Sequence, residues 1–470
     1  MKARNIVIFI FGVLAVLAAV CTIFPKDGIT IGNIHLEFPT LDEILTVESK
    51  STTMSNGLAR DPNELTKQQL MTMQTEDYKE FMKFAQTNPA RFYMPNNDST
   101  YFDDIFAAME NAGSEPMRVL HYGDSQLEGD RISADLREKF QTAFGGSGVG
   151  MVPAIQAVGA MTVVQSSSKK LPTYYAYEMG EHLRNGRYGI MAQVTHLNGS
   201  VQLTYRASSL EGVPHSKTYS KVTLVCSGNG KATLTANGTS QPMTDDVVSK
   251  DGVRFLTATL PSPAGKVSIS VTGNMELFAV LLDGKNGVSV DNVPMRGCSG
   301  TVFAYVNDRK TLEPFFKRNK VGLLILQYGG NSVPYLKSEK KMQEYKKSLI
   351  AQVELFKAMS PETKILFIGP ADMATNVKGK KETYPQLEPT IKMLQEVCSE
   401  TGIAFWNLYD SMGGRNSMLE WVNAGLAGKD YLHFTRDGAS KVADMLFNTY
   451  LMYYRFYCKR VGKTPKEFNQ

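Results

Sequence analysis

The sequence predicts a three-layer α/β domain with a parallel sheet, interrupted by an all-β insertion of sandwich or jelly-roll type. Three observations predict it. From Met117 a short apolar strand runs into a tight turn and then a helical pattern; from Ile155 to Asn292 short alternating runs are separated by Gly, Asn, Ser and Pro; after Gly300 strand and helix patterns alternate.

The elements follow in order. Lys2 and Arg4 precede an apolar run from Ile6 to Phe24, about the ~20 residues that span a bilayer as a helix. Residues 1–25 are therefore expected to be a membrane anchor with the rest of the chain outside the cytoplasm. The rival is a cleaved signal peptide, whose apolar region is shorter and ends in a small-x-small site. Residues 26–115 read as a stalk and helical lead-in, with helices suggested from Asn63 to Ala85 and from Tyr101 to Ala112. Residues 116–154 and 293–460 carry the α/β pattern. Val119-Leu-His121 is a strand, and Ile132, Leu136 and Phe140 mark one face of the helix after it.

In the insertion, residues 155–292, alternation picks out strands at Val201–Tyr205, Lys221–Val225, Lys231–Thr235, Arg254–Leu260 and Lys266–Val271. Beyond it, Gly322-Leu-Leu-Ile-Leu-Gln327 suits a parallel strand covered on both faces. A helical face at Met342, Tyr345, Leu349, Val353 and Phe356 follows, then a strand from Lys364 to Gly369. A helix from Leu387 to Cys398, a strand from Ile403 to Trp406 and a last helix from near Thr435 complete the series. Functional groups in such a sheet gather at the carboxyl ends of its strands.

Composition narrows the function classes. The 470 residues are 43% hydrophobic and 21% charged, which fits a packed globular chain, and the net charge of +5 comes from 51 basic and 46 acidic residues with no long block of one sign. Nucleic-acid binding has no support. Cys226, Cys298, Cys398 and Cys458 form no CxxC pair or Cys/His cluster, so structural zinc is not expected and buried free thiols are. Nothing calls for a cofactor.

Four blocks carry the chemistry. Gly123-Asp124-Ser125 ends a strand where a helix begins, which exposes a hydroxyl near free backbone N–H groups; alone, such a turn more often just caps a helix. Gly297-Cys-Ser-Gly300 offers a backbone N–H at Gly300, and Gly329-Gly330-Asn331 offers an amide at the end of the Leu-Leu-Ile-Leu strand; each is by itself an ordinary turn. Asp430-x-x-His433 places a carboxylate where it can take the Nδ1 proton of the imidazole and leave Nε2 free for a serine. Gly145-Gly-Ser-Gly-Val-Gly150 lacks the Gly-Lys-Ser/Thr ending of a phosphate loop and reads as a mobile rim loop.

In this order along the chain the four blocks resemble the SGNH (GDSL-type) hydrolase superfamily. The resemblance implies a flavodoxin-like three-layer domain, a catalytic set of Ser125, His433 and Asp430, and an oxyanion hole of Ser125, Gly300 and Asn331. It departs from the family's pattern at Gln126, where leucine is usual, and at Gly330 in a block that reads Gly-Gly-Asn-Ser rather than Gly-Thr-Asn-Asp. These two positions bear on substrate preference and, with Trp406, are the candidate substrate contacts. Within the superfamily the chain resembles peptidoglycan and carbohydrate O-acetylesterases, in which a carbohydrate-binding-module-like β domain interrupts the hydrolase at this place. The function so implied is removal of O-acetyl groups from envelope or other polysaccharide, outside the cytoplasm, by a chain tethered to the inner membrane or secreted. The alternatives are an O-acetyltransferase and a silent glycan-binding protein.

Overall fold

The computed structural model describes residues 29–31, 34–36, 78–177, 183, 186–306 and 308–466. The anchor predicted at residues 1–25 and the part of the predicted helix before Tyr78 lie outside them. Among the described residues no helix is long and apolar enough to cross a membrane. The chain forms two units, Met1–Asn56 and Gly57–Gln470. In the first, Ile29–Ile31 pairs antiparallel with Ile34–Leu36.

The second unit is built on a six-stranded sheet. In spatial order its strands are Val288–Pro294, Met117–Gly123, Val321–Gln327, Lys364–Ile368, Ala404–Trp406 and Phe92–Tyr93. The first five are parallel and the last is antiparallel. Successive side chains of a strand face opposite sides, which explains the continuous apolar runs. Leu323 and Ile325 pack with Leu136, Phe140, Val442 and Leu446 of the helices Ser133–Phe144 and Arg436–Arg460. Leu324 and Leu326 pack on the opposite side with Leu349, Val353, Ile391 and Leu394 of Glu339–Met359 and Leu387–Thr401. The expected α/β elements thus form, with three layers.

The lead-in corrects the sequence reading, because from Tyr78 onward it is no stalk. Phe81, Phe84, Phe102 and Phe106 recur at spacings of three and four on their helices, and they are buried with Tyr450 and Tyr453 of the last helix. Their outward faces carry the polar residues that gave the segment its exposed look.

The insertion is an eight-stranded antiparallel sheet running from Gly150–Val152 to Lys266–Asp283. Two runs read as separate strands, Lys221–Val225 and Lys231–Thr235, are one strand, Tyr219–Ala236, that continues through Gly228-Asn-Gly230. Gly199, Gly273 and Gly230 stand in register on three adjacent strands. A Cβ on Gly273 would lie 2.2 Å from the Asn229 carbonyl oxygen, so backbones meet there as only glycine permits. The boundary also moves. Val288–Pro294, read within the insertion as far as Asn292, belongs to the parallel sheet, while Gly150–Val152 belongs to the antiparallel one.

The two sheets are joined by a buried ion cluster. Arg118 contacts Asp283 and, at 2.6 Å, Asp291, which also accepts the Met151 N–H at 2.7 Å. Removing one member of such a cluster strands an uncompensated charge. The Gly145–Gly150 segment runs beside it and is not a mobile rim. A Cβ on Gly148 would lie 2.1 Å from the Leu282 carbonyl oxygen, and the Gln141 amide ties Gly148 and Val288 together.

Candidate active site

Gly123 ends its strand in close packing, since a Cβ there would lie 2.7 Å from Leu127. The chain then turns into a 3-10 segment, Ser125–Asp130, rather than directly into the expected helix, which begins at Ser133. Asp124 caps this turn by accepting the Gln126 N–H at 2.9 Å. The Asp430–His433 loop is held from the other side. Gly428 N–H donates to the His433 carbonyl at 2.8 Å, Thr435 N–H donates to Leu426, and Thr435 caps the last helix. Tyr431 takes φ 57°, a conformation unusual for a side chain of this size. That bend lets one Asp430 carboxylate serve its own loop. Its Oδ1 accepts the N–H groups of Leu432 and His433, both at 3.1 Å, and its Oδ2 lies 2.8 Å from His433 Nδ1.

Ser125 Oγ lies 2.8 Å from His433 Nε2. Residues 308 positions apart are thereby brought into one hydrogen-bonded chain with Asp430. Burial works against the charge of Asp430, but the hydrogen bonds from the His433 ring and from the two backbone N–H groups outweigh it, and its carboxyl is held below the usual range. A carboxylate kept ionised in this position fixes the imidazole tautomer that leaves Nε2 able to accept a proton.

The predicted oxyanion donors also converge, though not as free groups. Asn331 Nδ2 donates to Asp124 Oδ2 at 3.1 Å and to the Cys298 carbonyl at 3.2 Å. The Gly300 N–H points to Cys298 Sγ at 3.3 Å, a weak acceptor. Gly300 has φ 87°, and a Cβ on it would lie 2.7 Å from the Tyr328 ring, so the turn requires glycine. Asp124 thus links the first block to the third. Burial drives its pKa up to about 6, against the lowering effects of the Gln126 N–H, His433 and Arg131.

The candidate substrate contacts fare differently. A Cβ at Gly330 would meet nothing closer than 3.9 Å, so the glycine leaves the approach to Asp124 open. Gln126 is turned toward the protein. Its Nε2 donates to the Leu432 carbonyl at 2.7 Å and its Oε1 accepts the Phe434 N–H at 3.4 Å, so it straddles His433. Trp406 is 0% exposed, with Nε1 donating to the Ala90 carbonyl at 3.0 Å. It is a core residue and presents no face to a sugar; Trp421 is equally buried. Sequence reasoning missed Arg131, whose guanidinium donates to the Ser125 carbonyl at 2.5 Å and to the Phe434 carbonyl at 3.1 Å. A lone arginine between two helices carries no pattern that would have marked it.

Comparison with known proteins bears on the fold and on the family that the chain is similar to. Residues 264–441 match the model of the GDSL-like Lipase/Acylhydrolase family. That stretch holds Gly300, Asn331, Asp430 and His433, while Ser125 lies upstream of it, across the insertion. The matched stretch, less than half of the chain, is similar to that family, and the three-layer α/β fold is the one that this resemblance implies. In fold it stands near a solved structure described as "Peptidoglycan O-acetylesterase in action, 5 min". The two share 20% identity and a TM-score of 0.63, over 78% of this chain and 99% of that one. A family two carbohydrate esterase from Cellvibrio japonicus matches at 12% identity and TM-score 0.25, over 62% of this chain and 99% of its own. No curated protein matches.

Proposed function

We propose that the chain is a serine esterase that removes O-acetyl groups from envelope glycan, with Ser125 as nucleophile, His433 as general base and acid, and Asp430 as its orienting carboxylate. The observation that carries this reading is the unbroken chain Ser125 Oγ, His433 Nε2, His433 Nδ1, Asp430 Oδ2, with 2.8 Å at each hydrogen bond. His433 takes the Ser125 proton as Oγ attacks the ester carbonyl. The negative oxygen that forms is met by the N–H groups of Ser125, Gly300 and Asn331, the last releasing the Cys298 carbonyl. His433 returns the proton to the departing sugar hydroxyl, and water activated by the same imidazole then cleaves the acyl-serine to free acetate. A positioned base contributes about 10²–10⁴-fold, and each oxyanion donor about 10²–10³-fold.

The glycan assignment draws support from the fold shared with a peptidoglycan O-acetylesterase and from the β insertion. The extracytoplasmic location and inner-membrane tether draw support from Lys2, Arg4 and the apolar run Ile6 to Phe24. The test is acetate release by the full chain from O-acetylated peptidoglycan and from acetylated xylan. Faster release from peptidoglycan, absent in Ser125→Ala, is expected. Acetate release by a folded Ser125→Ala chain at the native rate refutes the reading, and acetyl transfer to a sugar hydroxyl in place of water replaces it with a transferase.

A further inference from the structure

A cleft of about 250 Å³ opens between the hydrolase sheet and the β insertion, and two of its walls lie close in sequence to the reactive blocks. Glu128 and Gly129 follow Ser125 by three and four residues, and Arg296 precedes Gly300 by four. The 153–162 loop forms another wall and is pinned to the first block, because the Met161 N–H donates to the Gly129 carbonyl at 2.9 Å. The insertion therefore builds part of a cleft that neither Ser125 nor His433 lines but that is tied to the serine through Arg131, whose guanidinium donates to the carbonyls of both Glu128 and Ser125. Its volume is below the roughly 300–1,000 Å³ of drug-sized pockets, which suits one ring or one substituent rather than a chain.

Its charges are cancelled internally. Glu128 is paired with Arg296 at 2.6 and 2.8 Å, and Asp130 with Arg137 at 2.8 and 3.1 Å. Such a cleft favours a neutral ligand. Its amides are less committed. Gln193 spends Nε2 on the Ile155 carbonyl at 3.1 Å, and among the described residues its Oε1 accepts no hydrogen bond. The side-chain amide of Gln156 makes none among them either. Beside these two amides lie the apolar groups of Met151, Val163 and Met191.

We propose that this cleft is a subsite for the acetamido group of an N-acetylhexosamine unit adjoining the ester that Ser125 attacks. The proposal rests on Ser125 being the nucleophile. An acetamido group carries one N–H, one carbonyl and one methyl. Gln193 Oε1 receives the N–H, Gln156 Nε2 donates to the carbonyl, and the methyl enters the apolar side. A sugar without that group leaves both amides unpaired, the kind of mismatch that gives a polar site its discrimination.

The test is calorimetric binding of the N-acetylglucosamine tetramer and of xylotetraose to the full chain and to two variants, Gln156→Leu and Ala157→Phe. Binding of the N-acetylglucosamine tetramer at least tenfold tighter than xylotetraose is expected. Gln156→Leu should weaken it about 3–10-fold, the loss of one hydrogen bond, and Ala157→Phe, which crowds the mouth, should weaken it also. Equal affinity for the two tetramers, or unchanged affinity in both variants, overturns the subsite. Failure of the esterase reading registers separately, as absence of 4-nitrophenyl acetate hydrolysis by the native chain.

Discussion

Replacing Gln126 by leucine removes a side chain that grips the backbone on both sides of His433 while keeping nearly the same volume. Two hydrogen bonds are lost, a normal one to the Leu432 carbonyl at 2.7 Å and a long one from the Phe434 N–H at 3.4 Å. At about 1 kcal/mol for the first and less for the second, the loss of stability is about 1–2 kcal/mol. The effect on rate is larger in kind. The Ser125–His433 contact of 2.8 Å is set by the relative position of two segments 308 residues apart, and a 1 Å misplacement of a catalytic group costs about 10²-fold. Arg131 still ties Phe434 to Ser125, so the loop is loosened rather than released. The expected fall in kcat on 4-nitrophenyl acetate is about 10–100-fold, with KM changed less than about threefold, because Gln126 faces protein and not the open cleft. Steady-state kinetics beside urea unfolding of native and Gln126→Leu chains decide it. A folded variant with native kcat refutes the positioning role, and a raised KM at native kcat restores Gln126 as a substrate contact.

Two further outcomes follow from the same geometry. Asp124 has a pKa raised by burial from 3.8 to about 6, so between those values the folded chain binds more protons than the unfolded one and stability falls as pH rises through that window. The shift of about 2 units corresponds to roughly 3 kcal/mol; Asp124→Asn should flatten this fall in urea unfolding at pH 4 and pH 7, and an unchanged pH profile counts against it. Gly300→Ala sets a Cβ 2.7 Å from the Tyr328 ring at φ 87°, so a loss of about 2–4 kcal/mol is expected from overlap and backbone strain, and a native unfolding midpoint contradicts the packing described.

The parts of the fold that were legible in the sequence are those whose signal is local. The strand Val321–Gln327 and the helix after it announce themselves by burial on two faces and on one. The four blocks were legible because short spacing fixes their chemistry, as when Asp430 reaches His433 across one turn. What the sequence hid depends on distant partners. Gln126 looks like a substrate residue until Leu432 and Phe434 are seen across from it, and Arg131 has no local mark at all. Trp406 near a site suggests stacking, yet its environment is set by Ala90, 316 residues away. The aromatic residues of the lead-in and the strand Val288–Pro294 were misassigned for the same reason, since their partners lie in the last helix and in Met117–Gly123.

The central claim is that the Ser125 hydroxyl is made nucleophilic by His433. Labelling the full chain with a fluorophosphonate and mapping the adduct by mass spectrometry tests it most directly. The adduct is expected on Ser125 alone, forming at least about 10²-fold more slowly in His433→Ala, the low end of what a general base supplies. An adduct on another residue, or labelling of Ser125 at the same rate without the imidazole, contradicts the account.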